Sequence, residues 1–368
     1  MKRLVIFADL YQVNHESLYK NIIKKLPEDC HIDFIIGDKT GAEGLDSNKI
    51  KFHFKKKGES MLKFIRSKTS FFKSANLIII EELYNPNFAI LIPIIEYGHK
   101  CLQIIHNANK FLNRNLKPNF KSIAAFVFFK IIKLSIKGII VISQNVKEYI
   151  IDQKLFDRNI YYIPFSDAKN NFQFQDENSD VPIKFTIPGT VNSERRNYKL
   201  FLKVFIDILE NNPHYKLRLC FLGKVVKIDD EVDELINKLK QIDPEALNLW
   251  TDYIDDETYH KNLLNSHYLI GNINIDYLEN DIEETYGQSK ETGVLFLMLK
   301  YKIPTLFPEQ YSYSKLYGDY IINYRNSKEE LYDTIFKLLN SNLNEINTSL
   351  DEHEHYVNKE WSRVLNEF

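Results

Sequence analysis

The chain has 368 residues, of which 44% are hydrophobic and 27% are charged, a composition typical of folded globular proteins and not of disordered ones. This length exceeds what one ordinary hydrophobic core supports, so two domains are expected. The three cysteines lie far apart, each in or beside an apolar run. Their spacing argues against a disulfide framework or a metal site and indicates buried thiols in a reducing compartment.

Neither an export signal nor a membrane span is expected, because the apolar runs are too short. The first run ends at Asp9, and the run over residues 123–136 carries Lys130 and Lys133. We therefore expect a cytoplasmic protein.

Charge is distributed unevenly along the chain. Residues 1–180 carry 27 Lys and Arg against 19 Asp and Glu, whereas the remainder carries 21 against 31. A basic first half suits an anionic membrane at its inner face, or a phosphate-bearing substrate. Nucleic acid is not expected, since no recognition motif accompanies the charge. A solvated lysine surface is the other interpretation of this charge. The lysine-rich helix predicted over residues 117–137 either lies at a membrane interface or packs on the sheet.

Short apolar strands alternate with amphipathic helices in the first half, which predicts βαβ units and a parallel sheet. Ligands of such sheets bind at the carboxyl ends of the strands. His106, directly after a strand, either meets a ligand there or makes a local hydrogen bond. The predicted strands are residues 2–8, 30–36, 49–54, 77–80, 101–105, 138–143 and 161–164, and the helices are residues 17–26, 59–72, 88–97, 117–137 and 145–151.

The same alternation restarts after a linker rich in Asn, Gln and Asp. Residues 276–284 read as an acidic loop, and residues 286–308 as a polar loop, an apolar helix and a short buried strand. The other predicted strands are residues 183–187, 215–222, 247–250, 268–270 and 320–324, and the helices are residues 198–211, 229–241, 255–265, 327–339 and 352–368.

Basic residues and a helix N-terminus are predicted at the same end of the second sheet. Arg195 and Arg196 lie in its first strand-to-helix loop, and the planar guanidinium group suits a diphosphate. Within residues 286–308, Lys290 precedes the predicted apolar helix, and the first turn of a helix has free N–H groups. We hypothesise that this end binds the diphosphate of a sugar nucleotide. The alternatives are surface arginines and an ordinary helix capped by Thr292 or Ser289.

Several common motifs are absent from the chain. It has no GxGxxG, GxxxxGK or GxSxG, which argues against a dinucleotide oxidoreductase, a P-loop ATPase and an α/β-hydrolase. No His/Cys cluster has zinc spacing, so neither a metal nor a cofactor is expected.

Together these features resemble a GT-B-fold glycosyltransferase of the retaining, nucleotide-sugar-dependent kind, like those of glycosyltransferase group 1 or family 4. The resemblance covers nearly the whole chain and is strongest from residue 183 to residue 308. It implies α/β architecture with two Rossmann-like parallel-sheet domains facing a cleft. The implied divisions are an acceptor domain at residues 1–167, a linker at 168–181, a donor domain at 182–350, and a helix at 351–368 that crosses back to the first domain.

The loop after the first strand of the second domain carries part of this resemblance. Gly189 matches the family's glycine, and Arg196 matches its second phosphate-binding basic residue. Thr190 stands where the family has its first basic residue. This departure implies either that Arg195 compensates or that phosphate is held less tightly.

The second part of the resemblance admits two alignments. Glu283 and Glu291 have the spacing of the family's glutamate pair, but Tyr286-Gly287 sits one residue late. The favoured alignment instead pairs the four residues that begin at Glu291 with a Thr-Ser-Gly-Ser motif of the family. This alignment places Thr292-Gly293 at the diphosphate and leaves the roles of the glutamates open.

The resemblance extends to individual site residues, and no bound metal is implied. In the first domain, His106 matches a family histidine that faces the donor sugar, whereas the glycine-rich loop after the first strand is replaced by residues 11–15. The implied catalytic residues are His106, Arg196 and Lys290; the donor-binding residues are Gly189, Thr190, Arg195, Gly223, Tyr253, Glu283, Tyr286, Gly287, Glu291, Thr292 and Gly293; and the acceptor-binding residues are Tyr11, Asn14, His15 and Asn107.

The predicted function is transfer of a hexose from a UDP- or GDP-sugar to a hydroxyl of a glycan or lipid-linked glycan in cell-surface polysaccharide synthesis. We expect a retaining, metal-independent reaction in which cationic groups stabilise the leaving diphosphate. Two alternatives stay open. One is a catalytically silent GT-B-like subunit that binds a partner or glycan, and the other is a sugar-nucleotide epimerase of the same fold.

Overall fold

The computed structural model describes residues 2–7, 16–36, 45, 48–81, 83, 86–114, 118–165, 181–194, 196–279, 282–341 and 351–367. The chain forms two compact units. The segment Leu278–Glu291, which lies inside the predicted second domain, groups with the first unit. The first unit comprises Met1–Ser166, Leu278–Glu291 and Glu352–Phe368, and the second comprises Asp167–Tyr277 and Thr292–Asp351.

Seven strands build the sheet of the first unit, namely β1 (Lys2–Phe7), β2 (Cys30–Ile36), β3 (Ile50–Phe54), β4 (Leu77–Ile80), β5 (Cys101–Ile105), β6 (Gly138–Val141) and β7 (Asn159–Tyr162). They lie in the order β3-β2-β1-β4-β5-β6-β7, and each neighbouring pair is parallel. The central strands β4, β5 and β6 are buried along their whole length. Continuous apolar runs of this kind are typical of parallel sheets that are covered on both faces.

Polar side chains cap some of the helices of this unit at their N-termini. Ser60, Asn119 and Ser143 each accept a hydrogen bond from a backbone N–H of the first turn. The single helix predicted over residues 59–72 is divided at Lys68. The observed helices are α1 (Glu16–Lys25), α2 (Met61–Ser67), α3 (Thr69–Ser74), α4 (Leu91–Tyr97), α5 (Ala108–Leu112), α6 (Phe120–Ser135) and α7 (Gln144–Asp152).

The second unit contains another parallel sheet, in the order β11-β10-β8-β12-β15-β16 with β9 on β10. Along the chain, strands β13 and β14 follow β12 and form a separate two-stranded sheet, in which β14 belongs to the first unit and β13 spans the boundary between the units. The strands are β8 (Ile183–Pro188), β9 (Val191–Asn192), β10 (Leu217–Lys227), β11 (Leu247–Trp250), β12 (Tyr268–Ile270), β13 (Asp276–Glu279), β14 (Ile282–Thr285), β15 (Thr305–Pro308) and β16 (Ile321–Tyr324), and the helices are α8 (Tyr198–Asn211), α9 (Asp230–Ile242), α10 (Asp256–Leu264), α11 (Gly293–Tyr301) and α12 (Lys328–Leu339).

One predicted strand of the second half differs in its bounds, and one predicted loop was wrong. The strand predicted over residues 215–222 begins at Leu217 and continues to Lys227, because its extension pairs with β9 in the connection between β8 and α8. The acidic loop predicted over residues 276–284 contains β13 and β14, whose backbones pair with each other despite their charged side chains.

A last helix, α13 (Asp351–Leu365), packs on the first unit, as the resemblance implied. Its Glu360 is 2% exposed and accepts hydrogen bonds from Lys147 Nζ at 2.6 Å and from the Tyr162 backbone N–H at 2.9 Å. Burial alone would raise the pKa of Glu360, but these bonds hold it below its ordinary value. The side chain of Trp361 is buried as well.

The structure confirms the predicted fold class of two α/β domains with parallel sheets. All three cysteines are free and buried, and burial raises the pKa of Cys101 to about 12 and that of Cys220 to about 11.

Within the described ranges, no helix combines the length and apolar character needed to cross a bilayer.

The docking of α13 should weaken in acid through His353. Its Nε2 lies 2.8 Å from the Tyr162 hydroxyl, and burial lowers the pKa of His353 to about 4. An unfolded histidine has a pKa of about 6.5, so between pH 6.5 and pH 4 the unfolded chain binds a proton that the folded chain does not. Stability therefore falls over this interval, and His353→Gln should remove about 3 kcal/mol of that acid-induced loss.

Urea unfolding at pH 7 and pH 4 measures this effect. His355→Gln is the matched control, because His355 lies on the same helix but is exposed. A His353→Gln protein whose stability changes with pH as steeply as that of the parent contradicts the prediction.

Candidate functional site

Two glycines bring the end of β8 close to the middle of β10 at the carboxyl edge of the second sheet. Gly189 follows β8 with a φ of +93°, a conformation that favours glycine. A Cβ atom on Gly223 would lie 2.2 Å from the Gly189 carbonyl oxygen, so a larger residue does not fit. Ligands of parallel α/β sheets bind at this edge, and here the glycines leave bare backbone.

Arg196 lies beside this glycine contact. A Cβ atom on Gly189 would be 3.0 Å from Arg196 Nη2, and an antiparallel bridge to Ile273 holds the Arg196 backbone. The guanidinium group hydrogen-bonds to Tyr198. Its Nη1 atom is buried and has no hydrogen-bond partner among the residues that the structure describes. A buried donor without an acceptor costs about 1–3 kcal/mol, and an anionic oxygen would satisfy it.

Asn272 is a candidate that the sequence did not single out. It follows β12 by two residues and is 1% exposed. Neither its Nδ2 nor its Oδ1 atom has a hydrogen-bond partner in the described part of the chain. The signal that could have found it is the one that marked His106, a polar residue just after a buried strand at the carboxyl edge of a parallel sheet.

Helix α11 begins at the predicted Thr292-Gly293 pair. Thr292 is the N-cap, and its Oγ1 accepts a hydrogen bond from the Val294 backbone N–H at 3.3 Å. A Cβ atom on Gly293 would meet nothing within 4 Å, so packing does not require glycine there. This helix start is compatible with an ordinary helix capped by Thr292 and also with an anion bound at the N-terminus of α11.

In the first unit, the loop after β5 pairs with the segment that precedes α11. Asn107 forms an antiparallel bridge with Lys290, and the Ala108 backbone N–H donates to the Ser289 carbonyl at 2.7 Å. The predicted residues Asn107 and Lys290 are thereby brought together. His106, which precedes them at the carboxyl edge of the first sheet, is half-buried.

The glutamates of this segment anchor it to the first unit. Glu284 is buried and accepts a hydrogen bond from the Lys110 backbone N–H at 2.8 Å, and burial raises its pKa. Glu291 Oε2 accepts from Ser143 Oγ at 2.6 Å and from Asn145 Nδ2 at 2.8 Å. Glu283 is exposed. Both buried carboxylates therefore accept hydrogen bonds from protein donors, while Glu284 Oε2 has no hydrogen-bond partner among the described residues.

The Tyr286-Gly287 pair forms part of a turn. Gly287 has a φ of +80°, and its N–H donates to the Lys290 carbonyl at 2.9 Å. Lys290 Nζ lies 5.8 Å from the centre of the Tyr286 ring, within range of a cation–π contact. The positive φ that this turn requires explains why a glycine stands at position 287.

The remaining predicted site residues are either exposed or lie outside the part of the chain that the structure describes. Tyr253 is 79% exposed in the loop before α10, and Thr190 is exposed after Gly189. Arg195, Tyr11, Asn14 and His15 lie outside the described residues. The described part of the chain contains no group of three or more His, Cys, Asp or Glu side chains that could hold a metal ion.

No protein-family model and no curated protein matches the sequence. Solved structures do match in fold. A glycosyltransferase from Rickettsia africae ESF-5 gives a TM-score of 0.57 at 14% identity, covering all of this chain and 95% of that one. A lipopolysaccharide outer core galactosyltransferase gives a TM-score of 0.56 at 14% identity, covering all of this chain and 99% of that one.

An enzyme of another class has the same architecture. The UDP-GlcNAc 2-epimerase from Neisseria meningitidis, solved with UDP-GlcNAc bound, gives a TM-score of 0.55 at 9% identity and covers 100% of this chain and 99% of that one. At such low identities the likeness concerns the fold alone. It confirms the architecture predicted from the sequence, and the chain has the GT-B fold.

Proposed function

We propose that the protein is a glycosyltransferase that moves a sugar from a nucleoside-diphosphate sugar to a hydroxyl group of a glycan or glycolipid. The observation that carries the proposal is the Nη1 atom of Arg196, buried without a partner in the described chain beside the contact between Gly189 and Gly223. A diphosphate oxygen would supply the missing acceptor, and bare glycine backbone lets a phosphate approach closely. Neighbours described as glycosyltransferases support this assignment.

The chemistry needs stabilisation of a leaving group. The bond between the anomeric carbon and the diphosphate breaks, the acceptor oxygen bonds to that carbon, and the hydroxyl proton is released. Negative charge develops on the diphosphate, where a guanidinium group and a helix N-terminus such as that of α11 are stabilising. We assign this role to Arg196 and the Thr292-Gly293 turn, without a metal ion. We also propose catalytic roles for His106 and Lys290, as the resemblance implies.

Arg196→Ala should weaken binding of UDP or GDP and lower turnover of the matching sugar nucleotide. One lost donor of this type costs on the order of 10²–10³ in rate. Calorimetry with each nucleotide and an assay of nucleotide release measure the two effects. Arg218→Ala is the matched control, because Arg218 lies in the same unit but pairs with Glu245 at 2.7 Å. Unchanged affinity and turnover in folded Arg196→Ala protein would refute the site.

The epimerase remains a second candidate, since a UDP-GlcNAc 2-epimerase shares the fold. We expect incubation with UDP- and GDP-sugars in the absence of acceptor to release nucleoside diphosphate slowly and to leave the remaining donor unchanged. Chromatography of the products distinguishes the readings. A new sugar nucleotide of the same mass identifies an epimerase, whereas donor binding without release or conversion identifies a silent subunit.

The proposal that the acceptor is lipid-linked, at an anionic membrane, rests on helix α6. Phe120 is 86% exposed, Val127 45% and Leu134 63%, and they recur on one face of the helix. Exposed Lys130 lies between them, and α6 contains no acidic residue. An exposed apolar stripe with lysines and no acidic groups suits the interface of an anionic bilayer.

Flotation with phosphatidylglycerol vesicles tests this part of the proposal. We expect the protein to float with anionic vesicles and not with phosphatidylcholine vesicles, and the double variant Phe120→Ser/Leu134→Ser to lose most of the binding. Ile151→Ser is the control, as Ile151 is 51% exposed on α7. Equal flotation of parent and double variant, or none by the parent, contradicts membrane contact through α6.

A further inference from the structure

Two backbone segments lie side by side at the carboxyl edge of the second sheet. The bridge between Arg196 and Ile273 joins them, the Asn197 backbone N–H donates to the Asn272 carbonyl at 3.2 Å, and Asn274 Nδ2 donates to the Glu194 carbonyl at 3.2 Å. The position of the Asn272 backbone is therefore fixed by the same pairing that fixes Arg196.

Buried side-chain atoms without partners occur on both of these segments. Ser193 Oγ and Arg196 Nη1 on one segment, and both polar atoms of Asn272 on the other, have no hydrogen-bond partner within the described ranges. Burying a polar group without a partner is unfavourable, and native proteins satisfy the large majority of such groups. A concentration of them at the edge where ligands bind points to a ligand that completes the hydrogen bonds.

The neighbouring residues show why Asn272 does not turn away from this edge. It is preceded by Gly271, where a Cβ atom would lie 2.3 Å from the Phe307 ring. The Phe307 ring in turn stacks on Tyr311 with centroids 4.2 Å apart. Tight packing behind position 271 and the pairing with Asn197 hold the backbone on both sides of the amide.

We infer that Asn272 is a donor-binding residue whose amide binds the nucleoside-diphosphate part of the substrate. This inference rests on the proposed function. The Nδ2 group has two N–H donors suited to diphosphate oxygens, whereas the Oδ1 atom needs a donor such as a ribose or sugar hydroxyl. The ligand class is thus one that carries an anionic oxygen and a hydroxyl close together. Inorganic pyrophosphate supplies only the first.

A structural asparagine and a ligand-binding asparagine respond oppositely to an apolar replacement. Because the Asn272 amide has no protein partner in the described chain, Asn272→Leu should leave the melting temperature of the ligand-free protein unchanged or raised. The same variant should bind UDP or GDP roughly 10- to 100-fold more weakly. Asn272→Asp should weaken it further, because a carboxylate replaces the N–H donors and repels the diphosphate.

Asn262 supplies the matched control in the same unit. Its Oδ1 accepts from Lys184 Nζ at 2.8 Å and its Nδ2 donates to the Thr258 carbonyl at 2.8 Å. Asn262→Leu should therefore lower the melting temperature and leave nucleotide affinity unchanged. Asn262→Leu is thus expected to lose stability and keep affinity, whereas Asn272→Leu keeps stability and loses affinity.

The experiment combines thermal shift without ligand and calorimetry with UDP, GDP and inorganic pyrophosphate. A lower melting temperature of Asn272→Leu, or parental affinity for the nucleotide that the parent binds, overturns the role of Asn272 but leaves the proposed function standing. Loss of affinity for pyrophosphate as large as that for the nucleoside diphosphate overturns the hydroxyl contact. A parent protein that binds none of the nucleotides overturns the proposed function as well.

Discussion

The backbone contact between Gly189 and Gly223 is the constraint on which the candidate site depends. With a Cβ atom at position 223 only 2.2 Å from the Gly189 carbonyl oxygen, β10 could not lie so close to the residue that follows β8. Their approach leaves room for the guanidinium group of Arg196 beside Gly189. The segment that carries Arg196 can then pair with the segment after β12, which brings Asn272 to the same edge. The Gly189–Gly223 contact thus lies at the edge where the Arg196 guanidinium group, the Asn272 amide and bare glycine backbone occur together.

The order of strands and helices was accessible from the sequence because parallel sheets leave a strong local signal. Strands such as β4 and β6 are short runs of apolar, mostly β-branched residues, buried along their whole length, and the amphipathic helices between them have a different period. The start of α11 was also accessible, since a threonine before an apolar helical run is a common N-cap. These are local properties, which neighbouring residues along the chain determine.

What the sequence did not reveal depends on contacts between distant residues. Strand β9 has two residues and exists because the extended β10 lies beside it, so no periodicity could indicate it. The spacing of Glu283 and Glu291 suggested a ligand role, whereas Glu291 is held by Ser143 and Asn145, more than 140 positions earlier in the sequence. Asn272 is distinguished by burial without a partner, which is a property of the folded chain alone.

The unsatisfied groups bear on whether this edge of the second sheet binds a ligand, in an active enzyme and in a silent subunit alike. A scaffold that never binds a ligand at this edge would be more stable with apolar side chains in place of a buried, unpartnered amide, since each such group costs about 1–3 kcal/mol. A protein that binds a polar ligand there recovers that free energy on binding. The buried carboxylate of Glu291 shows the contrast, because its protein donors make it useful as an anchor whether or not the chain is catalytic. The state of Arg196 and Asn272 therefore favours ligand binding at this edge, while the contacts of Glu291 are the same with or without a ligand.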